Sequence, residues 1–348
     1  MMPVSDRFER SDDATARFWT WWDGVRAPLT QALRDGAAGE FTEALQERIT
    51  DLHPSLQWDL RRGTTAAFAL CVSGSGDAIR RLIVERWRRA GPDDDSEWQF
   101  HTTRPASRSP GSLVVNIAGE AVALSELLVV PDHDASRERL NCTVYHPAFR
   151  SLPTVTRKSL AVLLLDHAVG EEGVETWLGA IDTAIDEPEA GVDVHGLRDL
   201  VEHREQTATG LHWGITTQPG EDGTLFQIVN YAVKRWAFPT YDARCDITFR
   251  LERPTPAGIP DPWESDAFEG IEDGLSRALE GHAVLVARTS GRQRHTVHLY
   301  AAHDGIAPQA IAAWARRVSR AAQVDWVFDP EWSLLTRTPA EAMRFRGV

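Results

Sequence analysis

Between Arg288 and Tyr300 the chain gathers three guanidiniums, two imidazoles and a phenol into one short segment. Side chains on a strand alternate between its two faces, so Arg294, Thr296, His298 and Tyr300 are expected on one face. His295, Val297, Leu299 and Ala301 fall on the other. The second set is the more apolar and is expected to meet helices, which turns Arg294, His298 and Tyr300 to an open face with Arg288 near them across the turn. Guanidinium, imidazole and phenol side by side can bind a carboxylate or phosphate through charge-assisted hydrogen bonds. The same pattern also suits a sheet face packed by other parts of the chain, its polar tips satisfied by neighbours. Trp332 follows the last strand of this region and is read with the segment as a partner-binding residue, because exposed aromatics favour interfaces. Core packing is the competing role for it and for most of the thirteen tryptophans.

Other clusters offer less. Asp166-His167 looks like half of a triad, but adjacent helical residues point about 100° apart, and the pair is read as solvated charge near a helix end at Gly170. Ser73-Gly74-Ser75-Gly76 before a helix could hold an anion on free N–H groups. It lacks the Lys-Ser of a phosphate loop, so a strand-to-helix turn capped by Ser75 or Asp77 is the preferred reading. The histidines show no HExxH, HxH or Cys-His spacing. No catalytic residue, metal ligand or cofactor motif is assigned.

Composition narrows the classes. The 348 residues carry a net charge of −14, with 51 acidic and 37 basic side chains. Nucleic-acid binding requires clustered cations to displace counterions, so a nucleic-acid partner is not expected; a protein partner is compatible with the charge. Cys71, Cys142 and Cys245 are an odd, widely spaced set without a disulfide framework or zinc spacing. The first residues lack a basic start followed by an apolar core, and no apolar run approaches the roughly 18 residues that span a bilayer. A cytoplasmic location and no membrane association are expected.

Helices and strands must position these residues, and one pattern of them occurs twice. Residues 41–103 and 268–332 each read helix, strand, strand, helix, strand and end on acid-Trp-x-Phe. Phe41 and Trp98 stand 57 residues apart, Phe268 and Trp326 58, which points to a diverged internal repeat. With the strand 245–251 in front, the second copy reads β-α-β-β-α-β, the ferredoxin-like order. The expected fold is α+β, with two ferredoxin-like sandwich domains on antiparallel sheets. The first domain is placed at 1–188, a Pro-, Gly- and acid-rich linker at 189–209, and the second at 210–348. A hairpin is expected around Glu221-Asp222-Gly223.

Pro256-Ala257-Gly258-Ile259-Pro260, Ile271-Glu272-Asp273-Gly274-Leu275, Gly291-Arg292-Gln293-Arg294 and Asp329-Pro330-Glu331-Trp332 resemble the bacterial family termed domain of unknown function 695. The likeness covers about residues 210 to 340. Phe18-Trp19-Thr20-Trp21-Trp22 and the run from Asp166 to Glu171 resemble the region that often precedes that domain. The resemblance implies a fold like that of the protein regulator of ribonuclease E, an acidic inhibitor protein, and brings no reaction or catalytic residues. At His295 and Val297 this chain departs from the aromatic expected after the turn. The expectation is a non-enzymatic protein-binding or regulatory module. The alternatives are an enzyme with an interdomain site near Arg288, Arg294 and His298, and a small-ligand sensor.

Overall fold

The computed structural model describes residues 4–117, 120–208, 212–219 and 223–336. The chain is α+β and divides into two compact units, Met1–Thr207 and Ala208–Val348.

In the first unit the helix α1 (Val4–Asp35) precedes α2 (Thr42–Leu52), the strands β1 (Gln57–Arg61) and β2 (Phe68–Ser73), α3 (Ala78–Arg89) and β3 (Trp98–His101). Aromatic residues repeat along α1 on more than one side, so the helix must be covered. Trp19 stacks on Trp87 at 4.9 Å, and Trp22 meets Trp98 edge-on at 4.8 Å. Two of the four indole nitrogens are satisfied in the same contact: Trp19 Nε1 donates to Trp87 O and Trp98 Nε1 to Thr30 Oγ1, each at 2.8 Å. Asp77 caps α3 by accepting from Arg80 N, which makes the Ser73–Gly76 stretch a strand-to-helix turn.

A second layer follows: β4 (Val114–Ile117) pairs with β5 (Glu120–Ala123), and β6 (Leu128–Asp134), β7 (Arg139–Tyr145) and β8 (Leu178–Ala184) form a three-stranded sheet. The helices α4 (Thr154–Trp177) and α5 (Val194–Thr207) share a core with that sheet through Leu160, Leu164, Val194, Leu197 and Val201. The short polar helix expected near Leu197 to Glu205 within the linker stretch is thus present, longer and packed, because three apolar residues at helical spacing follow the acidic, Pro-rich start.

The first unit also departs from the expected antiparallel sheet. The element before its repeat is a helix, not a strand, so β2 pairs directly with β3, and that pairing is parallel. β7 and β8 are parallel as well.

In the second unit β9 (Trp213–Gln218), β10 (Leu225–Asn230), β11 (Ala243–Arg250), α6 (Pro262–Leu279), β12 (Ala283–Gly291), β13 (Arg294–Ala301), α7 (Ala307–Ala315) and β14 (Ala322–Phe328) form one six-stranded antiparallel sheet and its helices. The strand order is β14-β11-β13-β12-β10-β9. Alternation on β11 sends Cys245, Ile247 and Phe249 to one face, where they join Val297, Leu299, Phe268, Leu275, Ile311 and Trp314 in the helix-side core. β9 and β10 pair as the expected hairpin requires, while Glu221 and Asp222 of its turn lie outside the described residues.

Candidate functional site

The sheet face away from α6 and α7 is built from the residues that alternate with this core. Across β11 and β13 the register pairs Arg250 with Arg294, Thr248 with Thr296, Asp246 with His298, and Arg244 with Tyr300. His298 is held at both nitrogens: Nδ1 lies 2.7 Å from Asp246 Oδ1 and Nε2 lies 2.8 Å from Thr289 Oγ1. Arg244 links this group to the next, its Nε donating to Asp246 at 2.9 Å and its Nη1 lying 3.4 Å from Asp329 Oδ2. Tyr300 donates to the same Asp329 oxygen at 2.6 Å and stacks on Trp332 at 4.2 Å. Trp332 Nε1 in turn donates to Tyr241 O at 2.7 Å.

These placements correct three expectations. His298 and Tyr300 face away from the helices but not into the open: His298 is 6 % exposed and Tyr300 and Trp332 are fully buried. Trp332 and a small cluster with Phe238 and Tyr241 roof that end of the face, so Trp332 is a core residue and no exposed anchor. Arg288 stands on the helix side, opposite Val297, where Nε donates to Glu272 Oε1 and Oε2 at 2.8 Å. His295 shares that side, stacked on Phe268 at 4.3 Å and 3.5 Å from Glu272. Arg294 alone among the expected site residues is solvent-exposed. Arg288, Arg294 and His298 therefore do not converge.

The electrostatics follow from burial and pairing. Burial pushes the Asp246 carboxyl up, but the His298 hydrogen bond and the charges of His298 and Arg244 outweigh it and hold the pKa at about 2. Burial, with the Asp329 charge beside it, raises the Tyr300 phenol. For Glu272 the same opposition between burial and its His295 and Arg288 partners ends in a lowered pKa. Thr289, His298 and Asp246 form a hydroxyl–imidazole–carboxylate chain, the arrangement that activates a nucleophile. Here its carboxylate also holds Arg244, which ties the chain into the packing of β11.

The first unit contains a polar cluster that sequence reasoning dismissed. α4 breaks at Gly170, whose φ of 79° is in the left-handed region, and a Cβ there would lie 3.0 Å from Ala106 N. Residues 104–107 run across the break: Glu171 N donates to Arg104 O and Ser107 N to His167 O. Ser73 Oγ donates to Glu171 at 2.6 Å, and Arg104 lies 3.7 to 3.9 Å from Asp59, Asp166 and Glu171. Asp166 and Glu171 are each 7 % exposed, so the Asp166 segment is not a solvated helix end. Burial first, then the neighbouring Glu171 charge, raises the Asp166 carboxyl to about 7 against the pull of Arg104. Burial, with the Arg104 and Arg61 charges, lowers His167 to about 4. Gly170 was the available signal: a glycine in mid-helix beside two carboxylates marks a break that another segment can enter.

Cys71, Cys142 and Cys245 are free and buried. Among the described residues no group of three or more His, Cys, Asp or Glu side chains could hold a metal ion, and no helix is long and apolar enough to cross a membrane. No family model, curated protein or solved structure matches this chain.

Proposed function

We propose that this chain is a cytoplasmic, non-enzymatic binding or regulatory protein that takes up a protein partner along β9. The observation that carries this reading is the character of that edge strand. Natural edge strands are guarded by charge, proline or a covering element. β9 has the sequence Trp-Gly-Ile-Thr-Thr-Gln, without charge or proline, and exposes Ile215 at 70 % and Trp213 at 38 %. A partner strand added there would gain main-chain hydrogen bonds and an apolar side-chain contact. Arg288 lies over the Trp213 ring at 4.7 Å and holds it in place. The pairing of His298, Tyr300 and Arg288 within the protein also favours binding over catalysis.

The order β14-β11-β13-β12 with α6 and α7 on one face supports a ferredoxin-like second unit extended by the β10–β9 hairpin. The repeated element order and the shared acid-Trp-x-Phe ending support an internal duplication. Membership in the family termed domain of unknown function 695 is part of this proposal, resting on the motifs quoted above. Charge still speaks against a nucleic-acid partner.

The test is capture from the native host. A saturable protein partner is expected for the wild type and for Val155→Lys, which alters an equally exposed apolar residue on α4. It should be lost with Ile215→Lys. Absence of a saturable partner, or equal capture by Ile215→Lys, refutes the reading. A second reading, an enzyme, draws on the Thr289–His298–Asp246 chain. It requires Thr289 to react with a hydroxyl-directed phosphonate probe in a manner abolished by His298→Ala, and no labelling would dismiss it.

A further inference from the structure

On the β14 side of the second unit, far along the sheet from β9, an open groove of about 640 Å³ is lined by Thr248, Arg250, Arg292, Gln293, Arg294 and Gln323. Its size is that of a small-molecule site. Three of these side chains are arginines on a chain of net charge −14. Among the described residues none of the three guanidiniums has an ion-pair partner, whereas Arg244, Arg253, Arg288 and Arg320 of the same unit all meet carboxylates.

The arrangement works against the stability of the free protein. Arg250 and Arg294 are direct cross-strand partners, and like charges in that position repel. Arg292 and Gln293 occupy the two central turn positions with φ of 51° and 58°, a left-handed conformation that Gly or Asn adopts more easily. Such costs persist where the surrounding structure holds them and a ligand offsets them.

The turn is indeed held. Gln293 N donates to Gly258 O at 3.0 Å and Leu251 N to Gln293 O at 2.9 Å. Gly258 has a φ of 74°, and a Cβ on it would lie 3.0 Å from Arg292 N, so only glycine allows this approach. Pro254 and Pro260 bridge the loop behind it. Two motifs read separately in the sequence, Pro256–Pro260 and Gly291–Arg294, thus meet to fix one cationic turn. Thr248, which lines the groove, shares a hydrogen bond of 3.0 Å with Thr296 on the neighbouring strand.

We infer that this groove binds a small molecule through phosphoryl groups, with Arg250, Arg292 and Arg294 as its anion-binding side chains. Three guanidinium forks in one groove call for a ligand with several negative charges on closely spaced oxygens, which a diphosphate supplies and a single carboxylate does not. The inference does not rest on the β9 reading, and Ile215→Lys leaves this binding intact.

The experiment is calorimetric titration of the full chain with inorganic pyrophosphate at constant ionic strength, alongside thermal melts, with tricarballylate as a carboxylate of similar charge. Saturable pyrophosphate binding is expected, at least tenfold tighter than tricarballylate. Arg294→Gln should weaken pyrophosphate about tenfold or more, the loss of one charge-assisted contact. It should leave the melting temperature of the ligand-free protein unchanged or raised, because a repulsion is removed. Arg317→Gln, on an exposed arginine outside the groove, should change neither. Three results would overturn the proposal: no saturable pyrophosphate binding, equal tricarballylate binding, or an Arg294→Gln protein that binds pyrophosphate as before.

Discussion

The segment from α2 to β3 and the segment from α6 to β14 run through the same order of elements, yet they are completed by different neighbours. In the first, α1 lies against the closing strand and seals it: Trp98 is fully buried among Trp22, Phe68 and Phe100. In the second, β11 is inserted between β13 and β14, and Trp326 at the same place in the pattern is only half-buried. A covering helix gives one copy an aromatic core. An inserted strand gives the other a face of alternating Arg244, Asp246, Thr248 and Arg250, whose side chains hold His298 or line the groove. The chemistry of the second unit therefore comes from the added strand more than from the shared pattern.

The sharpest way to break this comparison is to remove the two tryptophans. Trp98→Ala is expected to cost about 3–5 kcal/mol, as a large ring deleted from a closed core does, against roughly 1–2 kcal/mol for Trp326→Ala. Urea unfolding followed by circular dichroism reads both, and equal losses would mean that the two strands are equally enclosed. Next, Asp246→Asn leaves Arg244 and His298 without their shared anion and is expected to cost about 3 kcal/mol. The ion pair of Asp59 and Arg61 on β1 is closer to solvent, so Asp59→Asn should cost under about 1 kcal/mol.

The two units should also differ in their response to pH. Asp166 has a raised pKa in the folded state, so folding binds protons and its contribution to stability is lost as pH rises from its ordinary value toward about 7. His167 is lowered to about 4; the unfolded chain then binds more protons, and this contribution grows as pH rises from about 4 to the ordinary histidine value. The two oppose each other over most of that range. Asp166→Asn should unmask the His167 slope and raise the melting temperature at pH 8 by a few degrees. In the second unit Asp246 is lowered to about 2, so its contribution is present above the ordinary aspartate value and fades only as pH falls toward 2. An Asp166→Asn protein with the wild-type profile between pH 5 and 8 would remove the distinction. The smallest effect is expected at Trp263, 62 % exposed on α6, where alanine should change stability by no more than about 0.5 kcal/mol.

Alternation makes the two faces of β13 legible in the sequence: Val297, Leu299 and Ala301 do meet the helices, and His298 and Tyr300 do lie opposite. Arg288 falls on the other face because the hairpin does not turn about Gly291, the one glycine of the segment, but one and two residues later. The two central turn residues are Arg292 and Gln293, a pair that carries no turn signature, and the resulting register sets Thr289 against Thr296 and Arg288 against Val297. A shift of one residue in a hairpin exchanges faces. The burial of Tyr300 and Trp332 depends on the segments 231–241 and 329–335 folding back, and irregular segments have no period to read. Asp246 and Arg244 were visible as every second residue of an apolar strand, but a polar alternation by itself resembles any solvated face. Their role required the partner strand. The Asp166 cluster was hidden for a similar reason, since Arg104 reaches it from a loop more than sixty residues away in sequence.

The position of β11 also has a consequence for the order in which the protein is made. β2 meets β3 after a short stretch of chain, whereas Ala243 of β11 pairs with Phe328 of β14. Contacts so distant in sequence close late and slowly. Because Ala322 and Gln323 form one wall of the arginine groove, a nascent or truncated chain ending before β14 has the three arginines but no groove. Anion binding in that groove would thus require the completed second unit, and a fragment stopped at Ala315 should carry the charge without the binding.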